Sequence, residues 1–289
     1  MSKIQNMQQS LAIIRKELSS YYEPEEIQGF IRMIFYHLKS YSLTDMVINQ
    51  QEQLSETEKK KIFSIVAELK AHRPIQYILG NVEFCDLHFK VNENVLIPRP
   101  ETEELVQWII DDFKLHPNVT VFDACTGSGC IAIGLAHWLN SPKVSACDIS
   151  AEALELAQIN AKENRVSVDF HLADMLHAQS FDPASKFDIM VSNPPYVLHS
   201  EKAAMNENVL KHEPHLALFV EDDEALIFYD AIADFSLKHL KLGGKLYFEI
   251  NEAYALETAE MLKNKGFVNT EIRQDVFGKN RMIKTELKN

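Results

Sequence analysis

The sequence predicts an α/β protein: a mostly parallel β-sheet covered by helices on both faces, preceded by a small helical bundle and a β-hairpin. Three observations carry this. Residues 1–73 place apolar side chains at helical spacing and hold a single glycine, Gly29. From Val119 onward, short apolar runs alternate with helical segments, the pattern of parallel strands buried on both faces. A glycine-bearing turn, Asp123-Ala-Cys-Thr-Gly-Ser-Gly129, joins the first of those runs to a helix.

The elements follow in order. Pro24-Glu25-Glu26 reads as a first helical turn, with Ile27, Ile31, Ile34, Phe35 and Leu38 on one face. Ser55 and Glu58 form a capping-box pattern ahead of Ile62, Ile65, Val66 and Leu69. Three or four short helices therefore precede Arg73-Pro74, which ends the last of them. Gly80 to Val91 alternates as a hairpin with Asp86-Leu87 near its turn. The proline-stiffened run Leu96-Ile-Pro-Arg-Pro-Glu-Thr-Glu103 leads into a helix over residues 101–113, whose early acids suit the helix dipole. Arg99, between two prolines, is held rather than free.

Val119–Ala124, Lys143–Cys147, Val166–His171, Phe187–Ser192 and Lys245–Ile250 read as strands, with helices near 130–139, 151–164, 223–241 and 254–265. Two last strands, 267–274 and 281–287, follow each other without a helix and are expected to be antiparallel, an ending foreign to dehydrogenase-type sheets. The domains expected are 1–79 (helical), 80–95 (hairpin linker) and 96–289 (the sheet).

Composition narrows the function. Acidic residues outnumber basic ones 42 to 29, for a net charge of −13. That argues against tracking a nucleic-acid backbone, because phosphate affinity comes largely from Lys and Arg displacing counterions. No direct nucleic-acid contact is expected. Cys85, Cys125, Cys130 and Cys147 lack paired spacing and lie in or beside apolar runs, as reduced thiols of a cytoplasmic protein do. His212 and His215 are separated by Pro214, which spoils a metal-binding helix face, so no metal is expected. No apolar run reaches membrane-spanning length, and the polar start lacks a signal-peptide core.

Asn193-Pro194-Pro195-Tyr196 closes the run Phe187–Ser192 and is the most informative string in the chain. Neither proline donates an N–H, so the ladder stops and leaves a stiff, extended lip at the carboxyl end of a buried strand, where open α/β sheets bind ligands. A side-chain amide, free backbone carbonyls and an aromatic face suit a planar group bearing N–H donors, either a carboxamide or a base amine. Gly127 and Gly129 let a ligand approach the main chain, and Asp148 follows about 20 residues on, placed to accept a ribose hydroxyl pair. That spacing also fits a dinucleotide fingerprint. Asp123 favours a cationic amino group over a pyrophosphate, and hydride transfer has no use for the lip. Asp174 is open between accepting from an adenine amine and capping the next segment, with Met175 beside it.

With these pieces in order, the chain resembles the class I S-adenosylmethionine-dependent methyltransferases, and more narrowly the bacterial release-factor glutamine methyltransferases. The resemblance spans nearly the whole length. It rests on Gly80-Asn-Val-Glu-Phe84, Leu96–Glu103, the glycine loop, Val191–Tyr196, Glu213-Pro-His-Leu-Ala-Leu218, Gly243-Gly244, Glu249-Ile-Asn251 and Asp275-x-x-Gly278-x-x-Arg281. It implies a Rossmann-like methyltransferase sheet with an antiparallel last strand. It also implies that Cys125, Thr126, Gly127, Ser128 and Gly129 hold the methionine part of S-adenosylmethionine, Asp148 the ribose and Met175 the adenine. Asn193 would touch cofactor and substrate, with Pro194, Pro195 and Tyr196 completing the substrate site. The implied substrate is the glutamine of the Gly-Gly-Gln tripeptide in peptide chain release factors, docked by the helical domain of a monomeric enzyme that leaves S-adenosylhomocysteine. Three positions depart from common family usage: Ala124-Cys125 for Leu-Gly, Met175 for an aromatic, and Tyr254 for glutamine.

The chemistry expected of the lip is alignment. The Asn193 side-chain oxygen and the Pro194 carbonyl each accept one N–H of the target amide, and Tyr196 packs on the amide or its stem. The alternatives are an N6-adenine or other exocyclic-amine nucleic-acid methyltransferase using the same lip, an NAD-dependent oxidoreductase, and a non-catalytic binding module.

Overall fold

The computed structural model describes residues 5–180 and 186–288. They divide into two compact units, one running to Gly80 and including Asn206–His212, the other holding the remainder.

In the smaller unit, α1 (Met7–Leu18), α2 (Pro24–Lys39), α3 (Leu43–Ile48), α4 (Glu56–Lys70) and α5 (Ile75–Leu79) close around one core. Helix α2 opens on Pro24, where a missing N–H costs nothing. Both bonds of the Ser55–Glu58 capping box are formed at α4. Met7, Ile14, Leu18, Ile31, Ile34, Phe35 and Ile62 are fully buried; Ile31, Ile34, Phe35 and Ile62 belong to the stripes the periodicity marks out, whereas Leu38 is only half-buried and no stripe is expected for α1.

The larger unit opens with β1 (Asn81–Phe84) and β2 (Leu87–Lys90), an antiparallel hairpin. Its turn is Cys85-Asp86, one residue earlier than expected, and both residues take left-handed φ, as a tight hairpin demands. Phe84, Leu87 and Phe89 are buried in the sheet's core, so the hairpin is built into this unit. The chain continues through α6 (Pro100–Phe113), β3 (Thr120–Ala124), α7 (Cys130–Trp138), β4 (Lys143–Asp148), α8 (Ala151–Glu163), β5 (Val168–Leu172) and β6 (Phe187–Ser192). Then come β7 (Val197–Leu198), α9 (Glu207–His212, counted with the helical unit), β8 (Phe219–Val220) and α10 (Ile227–His239). Finally β9 (Leu240–Glu249), α11 (Ala255–Asn264), β10 (Phe267–Gln274) and β11 (Asn280–Leu287) complete the chain.

Seven strands form one sheet in the order β10-β11-β9-β6-β3-β4-β5. Strands β3, β4, β5, β6 and β9 run parallel, and β11 is antiparallel to both its neighbours. From β3 the order grows toward β4 and β5 on one side and β6 and β9 on the other. The carboxyl ends of β3 and β6 therefore flank the switch point, where such sheets open a crevice.

Two stretches differ from the sequence expectation. Strand β9 starts at Leu240 rather than Lys245, because its pairing with β6 jumps from Phe187↔Leu240 to Ile189↔Lys245 across a bulge holding Gly243 and Gly244. A small parallel pair, β7 with β8, follows the lip, where no strand is expected from the sequence. Among the described residues, no helix is long and apolar enough to cross a membrane.

Candidate active site

Strand β3 delivers the chain into the loop Cys125–Gly129, which turns into α7. The loop is fixed by its own polar groups. Thr126 N–H donates to the Cys147 carbonyl at 2.9 Å, and Gly129 N–H to the Thr126 carbonyl at 2.9 Å. Thr126 Oγ1 donates to Asp123 Oδ2 at 2.6 Å, and the Ala132 N–H reaches the same oxygen at 3.2 Å. Asn160 Nδ2 donates to the Ser128 carbonyl at 2.9 Å, while Asn160 Oδ1 accepts the Lys90 N–H at 2.7 Å, tying the loop to the hairpin.

A cavity of about 310 Å³ opens above this loop. That is within the range of sites for a drug-sized ligand. Its floor is Cys125, Thr126, Gly127 and Ser128, and one wall carries Asp148, Ile149 and Ser150 from the end of β4. A Cβ built on Gly127 meets nothing within 4 Å, so the backbone there presents an open cradle. Asp148 Oδ2 accepts the Gly127 N–H at 2.8 Å and Oδ1 the Ser150 N–H at 3.0 Å. Burial raises the Asp148 carboxyl above its usual range, against those two bonds. Carboxylate lone pairs, bare backbone and an apolar wall fit a ligand carrying a ribose and a base.

On the opposite side stands the lip. Asn193 and Pro195 line the cavity, and Asn193 Nδ2 donates to Thr102 Oγ1 at 3.2 Å. Thr102 Oγ1 in turn donates to Glu249 Oε2 at 2.6 Å. Met175 and Phe228 supply a further apolar patch, and Met175 Sδ lies 3.4 Å from Cys147 Sγ. Above them Arg99 donates to Glu213 Oε1 at 2.6 Å, and Glu213 Oε2 accepts the Ile97 N–H at 3.3 Å. That buried carboxylate joins the proline-stiffened run to the segment carrying Pro214 and Leu216, two more parts of the wall.

Comparisons with known proteins give the family. A family profile described as PrmC N-terminal domain matches residues 9–80, and one described as Methyltransferase small domain matches 103–217. The release factor glutamine methyltransferase of Flavobacterium psychrophilum is 43% identical over 94% of this chain and 95% of that protein. That of Bacteroides thetaiotaomicron is 41% identical over 96% of this chain and 99% of its own length. The chain belongs to the release factor glutamine methyltransferase family. Among solved structures, a Pyrococcus furiosus methyltransferase matches with a TM-score of 0.53 at 16% identity, covering 81% of this chain and 100% of that one. A T. thermophilus 16S rRNA methyltransferase, solved in complex with AdoMet and guanosine, gives 0.51 at 14%, covering 72% and 50%. Identities this low speak for a shared methyltransferase fold.

In this methyltransferase, eight of the expected site residues line one cavity: Cys125, Thr126, Gly127, Ser128, Asp148, Met175, Asn193 and Pro195. Three do not. Gly129 lies beneath the loop, where an added Cβ would come within 2.9 Å of Ile133 Cδ1. Pro194 is buried outside the lining, although among the described residues no backbone hydrogen bond ends on its carbonyl. Tyr196, expected against the substrate, turns into the core, because its hydroxyl donates to the buried Glu249 Oε1 at 2.9 Å. Burial, then the neighbouring Glu249 charge, holds that phenol well above its ordinary range.

Asp123 is also corrected. It is fully buried and absent from the cavity lining, so it braces the loop instead of meeting a cationic ligand. Among the described residues its Oδ1 has no hydrogen-bond partner, and burial pushes its carboxyl up to about 7. Asp174 caps the turn that follows β5: Oδ1 accepts the Leu176 N–H at 2.9 Å, and Oδ2 meets His177 Nδ1 at 2.7 Å. Cys125 sits at φ 59°, the left-handed region that glycine occupies freely. Burial raises the Cys130 and Cys147 thiols far above the range of a nucleophile.

Sequence reasoning missed Thr102, Asn160 and Phe228 as site residues. Phe228 sits 53 positions beyond Met175 in the chain, so nothing local announces that the two line the same cavity. A larger open groove of about 1270 Å³ shares only Met175 and Leu176 with the cavity and contains no lip or glycine-loop residue.

Proposed function

We propose that this methyltransferase moves a methyl group from S-adenosylmethionine to the side-chain amide nitrogen of a glutamine in peptide chain release factors, within their Gly-Gly-Gln tripeptide. One observation carries the reading: Asn193 lines the same cavity as the glycine loop and Asp148. When bound, S-adenosylmethionine supplies an electrophilic sulfonium methyl, and S-adenosylhomocysteine remains afterwards.

The chain's own residues hold and orient. Asp148 offers a ribose the lone pairs left beside its two backbone bonds. Residues 125–128 would receive the amino-acid end against bare backbone, and the apolar patch of Met175 and Phe228 would take the base. A carboxamide nitrogen is a poor nucleophile, because its lone pair is delocalised. Asn193 Oδ1 and the Pro194 carbonyl accept its two N–H groups, favouring the pyramidal nitrogen as positive charge grows there. Acceptors aimed at growing positive charge are the counterpart of an oxyanion hole, and fixed positioning alone supplies several kcal/mol. No base acts before transfer, since the methylated amide is acidic enough to lose its proton afterwards.

The helical unit is assigned to docking the protein substrate, and the enzyme is taken as a monomer working in the cytoplasm, where thiols stay reduced. Incubation with methyl-labelled S-adenosylmethionine and recombinant release factors, followed by peptide mapping, tests the whole reading. The label is expected on the Gly-Gly-Gln glutamine, and Asn193→Asp is expected to lose it. Label on nucleic acid with a steep salt dependence, and none on release factor, overturns the proposal.

A further inference from the structure

We infer that Thr102 and Glu249 are positioning residues for the transfer, fixing the Asn193 side-chain amide with its oxygen, not its nitrogen, turned to the cavity. The inference rests on the proposed role of Asn193 as an acceptor. The two ends of an asparagine amide are nearly alike in shape, so only their partners decide which way the group faces.

The partners here leave one solution. Glu249 ends β9 with 2% of its surface exposed. Its Oε2 takes the Thr102 hydroxyl at 2.6 Å and its Oε1 the Tyr196 hydroxyl at 2.9 Å. A carboxylate has no proton to give, so both hydroxyls must donate to it. Thr102 has one proton, and that proton is committed to Glu249. Toward Asn193, 3.2 Å away, Thr102 Oγ1 can therefore only accept. The NH2 end of Asn193 faces Thr102, and Oδ1 is left for the cavity that Asn193 lines. Burial raises the Glu249 carboxyl above its ordinary range, with a further push from Glu101; the hydrogen bonds from Thr102 and Tyr196 and the charge on Arg281 pull the other way, toward the anion that this order requires.

The consequence is chemical. With Oδ1 presented, the lip meets the N–H of a target amide as an acceptor. With the amide reversed, it would set donor against donor. Thr102 contributes this from the first turn of α6 and Glu249 from the end of β9, without either acting on the substrate.

The test compares Thr102→Val, Thr102→Ser, Glu249→Gln, the Thr102→Val/Glu249→Gln double variant and Asn193→Ala in the full chain, with melting temperature and S-adenosylhomocysteine affinity measured alongside. Thr102→Val is expected to lower kcat about 10–100-fold with little change in KM for release factor, the scale of a misplaced reacting group. Thr102→Ser restores kcat to within a few-fold, because it keeps the hydroxyl. Glu249→Gln falls at least as far as Thr102→Val: glutamine can donate to Thr102, whose freed proton then goes to Asn193 Oδ1 and turns the amide over. The double variant is no slower than the slower single one, because the chain is already cut at Thr102. Wild-type kcat in Thr102→Val, a Thr102→Ser as slow as Thr102→Val, or losses that multiply in the double variant each overturn the inference. Should Glu249→Gln fail to fold, the valine and serine variants decide alone. Asn193→Ala separates the two claims. If it still transfers methyl, the proposed function of the lip fails; if it is dead while Thr102→Val is unimpaired, only the positioning role fails.

Discussion

Asp148 Oδ2 accepts the Gly127 N–H at 2.8 Å, so one carboxylate both faces the cavity and fastens the tip of the glycine loop to the neighbouring strand. Removing it strikes the ligand and the loop together. Asp148→Ala is expected to weaken S-adenosylhomocysteine binding about 10–100-fold, because a hydrogen bond to a charged group contributes about 1.5–3 kcal/mol. Asp148→Asn keeps an oxygen for Gly127 and loses the charge, so it should fall between. Titration calorimetry on the three proteins gives the order.

Gly127 and Gly129 stand two residues apart yet fail in different ways. A methyl on Gly129 enters at 2.9 Å from Ile133 Cδ1 and 3.1 Å from Ala157 Cβ, at φ +82°. Gly129→Ala should therefore destabilise the fold by about 1–3 kcal/mol. A methyl on Gly127 meets nothing within 4 Å. Gly127→Ala should lose only about 1 kcal/mol from its left-handed backbone, while S-adenosylhomocysteine binding drops further than in Gly129→Ala. Urea unfolding and ligand titration on both variants distinguish the two roles.

Asn160 is fully buried on α8, and its side chain spans Lys90 and Ser128. Replacing it with leucine takes the Asn160 partner from the buried Ser128 carbonyl and from the partly buried Lys90 N–H, at a cost of about 1–3 kcal/mol per orphaned buried group. Asn160→Leu is expected to lower stability by about 2–4 kcal/mol and to lower methyl transfer through the loosened loop. A variant with wild-type unfolding behaviour would remove Asn160 from this account.

What could be read in advance follows from which constraints are local. The lip and the loop were legible because prolines and glycines act on their own backbone, whatever packs around them. The same is true of the Ser55–Glu58 box, three residues apart. The direction of Tyr196 was not legible, because it is set by Glu249, 53 residues away. Thr102 read only as part of a helix entry, since its partners lie 91 and 147 residues off. The alternation of the hairpin showed strands, but not that Phe84 and Phe89 would be buried in the sheet's core. The start of β9 was hidden by Gly243 and Gly244, which lower strand propensity where the bulge needs them.

Asp123 makes stability depend on pH in a direction opposite to most carboxylates. Its carboxyl, ordinarily near 3.8, is pushed up to about 7, first by burial, against the bonds from Thr126 and Ala132 and with a small push from Asp148. Between those values the folded chain keeps a proton that the unfolded chain has released. The folded state then binds more protons, so stability falls as pH rises through that window and levels off above it. Subtracting Asp123→Asn, which keeps an oxygen for Thr126 and Ala132 and cannot titrate, cancels the other groups to first order. The stability of wild type relative to Asp123→Asn is expected to drop by about 2–3 kcal/mol between pH 5 and pH 8. Urea unfolding of both proteins at the two pH values measures it. A difference that stays flat, or rises with pH, means that Asp123 is ionised in the fold and that its orphaned Oδ1 has a partner.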